Sequence, residues 1–226
     1  MTSTDELIKR DVVNHLAWDN RVDASKVTVQ VNNGTVTLTG EVPSYFSKSA
    51  AYEDVQDILG VTDVINRLSV GYPSTIAIPT DTEIENNIRM KLAANPDINL
   101  LDMDIEVNAG RVVLRGTVAA YWKKLYAENL IEAEPGVVFI ENHLAVVPEQ
   151  GVIDQEIAHD IIRSLEAKAN VNAENVDVKV TNGKVTLTGT VVNWTARRSV
   201  FESALYTAGV VEVDNQLAVA GFEKGY

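Results

Sequence analysis

The chain has 226 residues, of which 46% are hydrophobic and 23% are charged, and its formal net charge is −13 at pH 7. These fractions are typical of a globular protein rather than a disordered one. The negative charge repels nucleic-acid phosphates, so we expect no nucleic acid among the partners. The absence of cysteine excludes disulfides, thiolate metal sites and cysteine nucleophiles.

Membrane-spanning and secretory signals are not visible in the sequence. No apolar run approaches the roughly 18 to 20 residues that a membrane-spanning helix needs. The first segment, MTSTDELIKRDVV, is charged and amphipathic from its start, unlike a secretory signal. The sequence as written therefore predicts a cytoplasmic protein, or a periplasmic protein if a signal has been removed.

One pattern occurs three times along the chain. When Asp5 is aligned with Asp81 and Asp154, the three copies continue without a gap through their last strands. Each copy is long enough to form a small domain with its own core. We predict three domains, joined by short linkers that contain proline, at residues 4–72, 80–148 and 153–221.

Each copy opens with an amphipathic helix. Behind the repeated aspartate, apolar residues recur at every fourth position, which places them on one face of a helix. In the first copy these residues are Ile8, Val12 and Leu16. We expect the aspartate to be the N-cap, because its side chain can accept a hydrogen bond from a free backbone N–H group of the first turn.

A β-hairpin follows this helix. In the first copy it reads VNNGTVTLTGEV, with valine and leucine alternating with polar residues. The central Asn-Gly or Ala-Gly predicts a two-residue turn with positive φ, which suits asparagine better than Ala109. A second glycine near the end of the hairpin predicts the close approach of a helix. The six structural glycines are Gly34, Gly40, Gly110, Gly116, Gly183 and Gly189.

A second helix and a third strand complete each copy. The helices are predicted at about 45–59, 121–133 and 194–208, each ending at a glycine C-cap. The third strand follows a helical crossover, which favours a parallel pairing. The predicted fold class is therefore α+β, with three tandem α-β-β-α-β sandwiches. Each sandwich has a three-stranded mixed sheet and two helices on one face.

An asparagine recurs in the third strand of every copy, at Asn66, Asn142 and Asn215. By alternation it shares a face with apolar residues, and a buried amide must be hydrogen-bonded. We interpret this asparagine as a structural tie between a loop and the sheet, in preference to a ligand contact.

The start of the second helix repeats an aromatic residue followed three positions later by a basic one. Cations there oppose the helix macrodipole, so their repetition favours a function. One interpretation is a binding surface for a lipid interface or an anionic headgroup. The other is that the ring packs on the sheet and the base is solvated or paired within its helix, as Lys124 with Glu128 or Arg198 with Glu202. The candidate binding residues are Tyr45, Lys48, Tyr121, Trp122, Lys124, Trp194, Arg197 and Arg198.

The sequence shows no catalytic constellation. The three histidines fall at non-equivalent positions without metal-ligand spacing. Neither a Gly-x-Ser-x-Gly elbow nor a His-Glu-x-x-His motif is present. We predict that the protein is not an enzyme and has no catalytic residues, bound metal or cofactor.

The repeated pattern resembles the BON domain, named for bacterial osmotically inducible and nodulation proteins. The hairpin carries V-x-V-x-x-G-x-V-x-L-x-G-x-V, and the second copy has Ile140 where the first has Val64. The resemblance covers nearly the whole chain, as three BON domains. The third-strand pattern in the first copy comprises Val61, Val64, Asn66, Leu68 and Val70.

This resemblance implies a non-enzymatic module associated with osmotic stress and envelope integrity. The implied partner is a membrane phospholipid or another envelope component. The first alternative is a protein-interaction scaffold or chaperone-like stress protein with a protein partner, because the chain consists of tandem domains without a catalytic set. The second is a small-cation module, since the family includes a potassium sensor.

Overall fold

The computed structural model describes residues 4–72, 77–149 and 151–220, which form three domains with the same order of elements. The first contains α1 (Thr4–Trp18), β1 (Val27–Asn32), β2 (Thr35–Val42), α2 (Tyr45–Gln56) and β3 (Asp63–Val70). The second contains α3 (Asp81–Ala93), β4 (Met103–Asn108), β5 (Arg111–Val118), α4 (Tyr121–Ile131) and β6 (Phe139–Val146). The third contains α5 (Asp154–Glu166), β7 (Val176–Thr181), β8 (Lys184–Val191), α6 (Trp194–Leu205), β9 (Glu212–Asn215) and β10 (Ala218–Val219). Gly221, the last residue of the third predicted domain, lies outside the described residues.

The predicted α+β class and mixed sheets are confirmed. In every domain the second strand is central, antiparallel to the first strand and parallel to the last. In the third domain the last strand is divided into β9 and β10, and both parts pair with β8. This division leaves backbone carbonyl groups of the last strand available to a side chain from α6.

The first helix of each domain packs its apolar face into the core. Ile8, Val12 and Leu16 of α1 are at most 2% exposed and share a core with Val36 and Leu38 of β2. Full burial of such a side chain stabilises the fold by about 1.5–3 kcal/mol. The described helices include none that is long and apolar enough to cross a membrane.

The repeated aspartate joins the hairpin turn to the first helix. The Asp5 carboxylate accepts hydrogen bonds from the backbone N–H groups of Asn33 (2.9 Å) and Gly34 (3.0 Å). Asp81 and Asp154 make the same two bonds within their own domains. The prediction that the aspartate is a helix N-cap is wrong, because the residue belongs to the first turn of the helix and its carboxylate binds the hairpin turn instead. A charged acceptor makes these bonds stronger than neutral ones.

The predicted two-residue turn is confirmed. Its first central residue has positive φ in all three domains, 49° at Asn33, 49° at Ala109 and 52° at Asn182, and a glycine follows each time. Asparagine tolerates this conformation better than alanine does. Ala109 is therefore the strained member of the set.

The second hairpin glycine lies against the backbone of a one-turn 3₁₀-helix before the first strand, and the prediction of a helix packed across the strand is wrong. Gly40 has a φ of 120°, and a Cβ atom there would lie 2.0 Å from the carbonyl oxygen of Lys26, the last residue of the 3₁₀-helix Ala24–Lys26. Gly116 and Gly189 make equivalent approaches in their own domains. Any side chain at these positions would push the start of the first strand away from the sheet.

The second helices end a few residues earlier than predicted. The C-cap of α2 is Asp57, and Gly60 lies in the following turn with a φ of 92°. Gly136 and Gly209 have corresponding φ values of 94° and 84° in their connections. These glycines redirect the chain toward the last strand after the helix has ended, and they are not its C-caps.

The first domain has a buried carboxylate, that of Asp54, at a position where the other two domains have none. Asp54 is 5% exposed, contacts Arg21 at 3.3 Å and His15 at 3.9 Å, and has no hydrogen-bond partner for Oδ2 among the described residues. Burial, with a smaller contribution from Asp19, raises the pKa of Asp54 to about 6. The equivalent positions hold Leu130 and Ser203.

The three domains contact one another head to tail in a closed ring. At the start of each second helix, an aromatic residue packs on the core of a neighbouring domain. Tyr45 packs on the second domain, Tyr121 on the third and Trp194 on the first. Head-to-tail contacts form a closed ring only when the last domain also contacts the first. Here the third domain contacts the first through Trp194.

In two of these interdomain contacts, an aromatic side chain donates a hydrogen bond to a backbone carbonyl group at an equivalent position of the neighbouring domain. Trp194 is 8% exposed, and its Nε1–H donates to the carbonyl oxygen of Val61 at 2.8 Å. The Tyr72 hydroxyl donates to the carbonyl oxygen of Val137, the equivalent residue of the second domain, at 3.0 Å. A buried ring with a satisfied polar group gives both burial energy and a fixed orientation.

Replacing Ala109 by asparagine is expected to stabilise the protein. The change relieves an alanine held at positive φ, and we expect the free energy of unfolding to rise by about 1 kcal/mol. Urea denaturation measures the change, with Asn33→Ala as the matched reverse substitution. A decrease for Ala109→Asn, or no decrease for Asn33→Ala, would contradict the role assigned to the turn.

Replacing Asp54 by asparagine is expected to stabilise the protein by an amount that grows as pH rises from about 4 through about 6. The folded pKa lies above the unfolded value, so the free energy of unfolding of the native sequence falls as pH rises from about 4 through about 6. The variant lacks this fall, which amounts to about 1–3 kcal/mol. Thermal denaturation of both proteins across this pH range measures the difference. A difference that does not change with pH would exclude this explanation.

Replacing Trp194 by alanine is expected to open the ring. The loss of a large buried side chain costs about 3–5 kcal/mol, so the radius of gyration in small-angle scattering should increase and the thermal midpoint should fall. Trp194→Phe loses mainly the hydrogen bond, about 1 kcal/mol, and should have a smaller effect. Trp18→Ala, at a residue that is 79% exposed, is the control. An unchanged radius for Trp194→Ala would show that the ring does not depend on this contact.

Candidate functional site

The second helices of the three domains surround a central cavity of about 750 Å³. This volume lies within the range of small-molecule sites, about 300–1,000 Å³. The wall comprises residues of α2, α4 and α6, the residue that follows α6, and Asn215 of β9. Its six aromatic residues are Tyr52, Trp122, Tyr126, Trp194, Phe201 and Tyr206.

The repeated asparagine fixes the first turn of the second helix in two domains. The Asn66 amide donates to the carbonyl oxygen of Lys48 at 2.9 Å, and its Oδ1 accepts the N–H of Leu68 at 3.1 Å. Asn142 makes the same bonds to Lys124 and Leu144 in the second domain. The prediction of a structural tie is confirmed here, and the element tied to the sheet is the helix.

In the third domain the first-turn arginine binds the divided last strand. The Arg197 guanidinium donates to the carbonyl oxygens of Asn215 (2.9 Å) and Leu217 (3.1 Å). It also lies 4.7 Å from the centre of the Trp194 ring, within cation–π range. Desolvation lowers the pKa of Arg197, as it lowers the pKa of the Lys48 ammonium. Arg197 is therefore a cation held in place by the backbone that it satisfies.

The aromatic residues that begin the helices lie between domains. Tyr45 packs on the core of the second domain, and Tyr121 packs on the core of the third. Burial raises the pKa of both phenols. With Trp194, these rings pack on neighbouring domains, so the expectation that they pack on their own sheet is wrong.

Trp122 and Arg198 bring an aromatic and a basic side chain to the cavity. The Lys123 ammonium lies 5.5 Å from the centre of the Trp122 ring. Arg198 pairs with Asp57 of the first domain at 3.6 Å. Among the described residues no ion pair joins Arg198 to Glu202, or Lys124 to Glu128, so both predicted pairings within a helix are wrong.

The structure brings together half of the predicted site. Tyr45 and Tyr121 lie in interdomain contacts, and Lys48 and Lys124 lie outside the cavity wall. Ligand binding by any of these residues stays a prediction. The four predicted residues that line the cavity are Trp122, Trp194, Arg197 and Arg198.

Sequence comparison of the copies missed several cavity residues. Tyr52, Glu128 and Phe201 occupy equivalent positions in the three copies but differ in type. Tyr126 corresponds to Ala50 and Ser199, so it does not recur either. A search for recurring residues cannot find a site whose three sides are built differently. The available signal was the presence of aromatic residues on the second helices in general.

The cavity offers ring faces, guanidinium groups and carboxylates. The carboxylates belong to Glu53, Glu128 and Glu202. Across the described part of the chain, no group of three or more histidine, aspartate or glutamate side chains is arranged to hold a metal ion. The groups in the cavity are suited to holding a molecule that has both charged and apolar parts.

Two curated bacterial proteins are similar to this chain. Osmotically-inducible protein Y of Escherichia coli (strain K12) is 29% identical over 140 residues, covering 61% of this chain and 68% of that protein. A 21 kDa hemolysin of Actinobacillus pleuropneumoniae is 26% identical over 117 residues, covering 51% of this chain and 60% of that protein. The chain thus matches less than two thirds of the hemolysin.

Solved structures give a weaker likeness. The C-terminal domain of CdsD, a structural protein of the type III secretion system of Chlamydia trachomatis, covers 97% of this chain and all of its own length. Its identity is 19% and its TM-score 0.27, which supports no structural argument. A sequence model of the BON domain, in contrast, matches residues 4–72, 80–148 and 153–221. The chain therefore belongs to the BON domain family and is a tandem of three BON domains.

Proposed function

We propose that this chain is a non-catalytic binding protein of the osmotic or envelope stress response that binds phospholipid or another membrane-associated component. The observation that carries the proposal is the convergence of three second helices on one aromatic cavity with guanidinium groups in its wall. Similarity to an osmotically inducible protein supports the stress association.

The ring geometry favours a headgroup held in the cavity over adsorption on a flat surface. The aromatic side chains of Tyr45, Tyr121 and Trp194 are buried in interdomain contacts. They cannot insert into a bilayer while the three domains form a closed ring. The net charge of −13 also opposes adsorption on an anionic membrane. The cavity wall holds the guanidinium groups of Arg197 and Arg198 together with three carboxylates. A headgroup that reaches the cavity would meet groups of both charges.

Vesicle flotation tests this function. We expect the full chain to float with phospholipid vesicles at low salt, and Trp122→Ala combined with Arg198→Gln to reduce the bound fraction several-fold. Trp18→Ala is the matched control, because Trp18 is exposed and lies outside the cavity. Absence of binding to both zwitterionic and anionic vesicles at low salt would refute the proposal.

A protein-interaction or chaperone-like function is the second candidate. It is favoured by the free edges of the three sheets, since β1, β4 and β7 each have one strand neighbour among the described strands. Such edges can accept an extended segment of another protein. Suppression of client aggregation by a chain that fails to bind vesicles would favour this candidate over the first.

A further inference from the structure

We propose that the central cavity binds a zwitterion that carries a quaternary ammonium and an anionic group. The inference deepens the proposed function, on which it rests, by naming the chemistry recognised in the cavity. That chemistry is shared by a phosphocholine headgroup and by a free betaine, and the experiment below separates these two sources.

The anionic group would be held by Arg198. Its guanidinium contacts Asp57 at 3.6 Å, and both side chains are about half exposed, at 48% and 47%. Such an exposed pair contributes little and can be exchanged for another anion. A phosphate or carboxylate accepts two parallel N–H bonds from a guanidinium, which makes a stronger contact than this one.

The ammonium would lie near Glu202, one turn further along α6. The two residues are separated by about 6 Å along the helix axis, a spacing suited to the two charges of a small zwitterion. The Glu202 side chain has no hydrogen-bond or ion-pair partner in the described part of the chain. In contrast, Glu53 is engaged by Arg21 at 3.3 Å and Glu128 by Asn142 at 3.2 Å.

Aromatic rings supply the second half of an ammonium site. Trp122 and Tyr126 form a tilted pair with ring centres 6.0 Å apart, and Phe201 of α6 lines the same cavity. Quaternary ammonium groups are recognised by such clusters of ring faces, because the faces carry negative electrostatic potential. The molecule already uses this contact nearby, with Lys123 on one face of Trp122.

The combination of charges distinguishes a zwitterion from a simple anion or a purely apolar ligand. An anion alone would leave the carboxylate of Glu202 unbalanced beside it, and an apolar molecule would bury Glu202 without a partner, which is costly. A zwitterion satisfies both charges and places its methyl groups on the rings. The volume of about 750 Å³ accommodates such a headgroup.

Isothermal titration of the full chain with phosphocholine and with glycine betaine tests the inference. At least one of them should bind, and about tenfold more tightly than choline, which lacks the anionic group. Trp122→Leu, Arg198→Gln and Glu202→Gln should each weaken binding about tenfold. Trp122→Phe retains a ring and should recover most of the affinity, and Trp18→Leu should bind like the native sequence. Circular dichroism confirms that each variant is folded.

The outcomes separate this inference from the function on which it rests. Tighter binding of phosphocholine, with flotation on phosphatidylcholine vesicles, identifies a lipid headgroup; tighter binding of betaine identifies a free solute. Flotation without binding of either zwitterion would overturn the inference and leave the proposed function intact. Equal affinity for choline, or no loss in the Glu202→Gln and Arg198→Gln variants, would also overturn it. Failure of both flotation and titration would overturn both proposals.

Discussion

The closing contact between the third and first domains is the constraint on which the site depends. Trp194 is the first residue of α6, and its side chain packs in the core of the first domain. Its indole N–H donates to the carbonyl oxygen of Val61. Burying an indole N–H without a hydrogen-bond partner costs free energy. This hydrogen bond therefore stabilises the burial of the Trp194 side chain and fixes its orientation. The linkers connect the first domain to the second and the second to the third, whereas only non-covalent contacts join the third to the first.

Ring closure determines what the second helices can do. Each helix uses its first aromatic residue for a domain contact, and its later turns then face the centre. Several cavity residues, such as Tyr52 and Phe201, also pack against the cores of their own domains. The three walls of the cavity nevertheless differ in chemistry, with Tyr52, Glu128 and Phe201 at one equivalent position. The three domains share one fold, and the cavity between them is lined by different side chains on each side.

Sequence reasoning predicted the elements within a domain and failed on the contacts that span longer distances. Helical spacing and the Asn33-Gly34 turn depend on local geometry, so the amphipathic helix and the hairpin were predictable. The role of Asp5 was not, because a carboxylate can cap a helix or bind a distant turn and only the folded chain places the turn beside it. The repeated asparagine was correctly interpreted because a buried amide requires partners wherever they lie.

The candidate site was half predictable for the same reason. Repetition identified the aromatic and basic residues at the helix starts, but repetition is also the signature of a contact that recurs between domains. Tyr45, Tyr121 and Trp194 recur for that purpose. Residues such as Tyr126 contribute to the cavity without recurring, so comparison of the copies gave them no weight.

Closure of the ring can be tested by cross-linking, since the chain has no native cysteine. Asp57→Cys and Arg198→Cys together place single thiols on the first and third domains, at residues that form an ion pair across the closing contact. We expect a short bifunctional maleimide to join them within one molecule under native conditions and not in denaturant. Equal cross-linking in both conditions, or none in the folded protein, would contradict the closed ring.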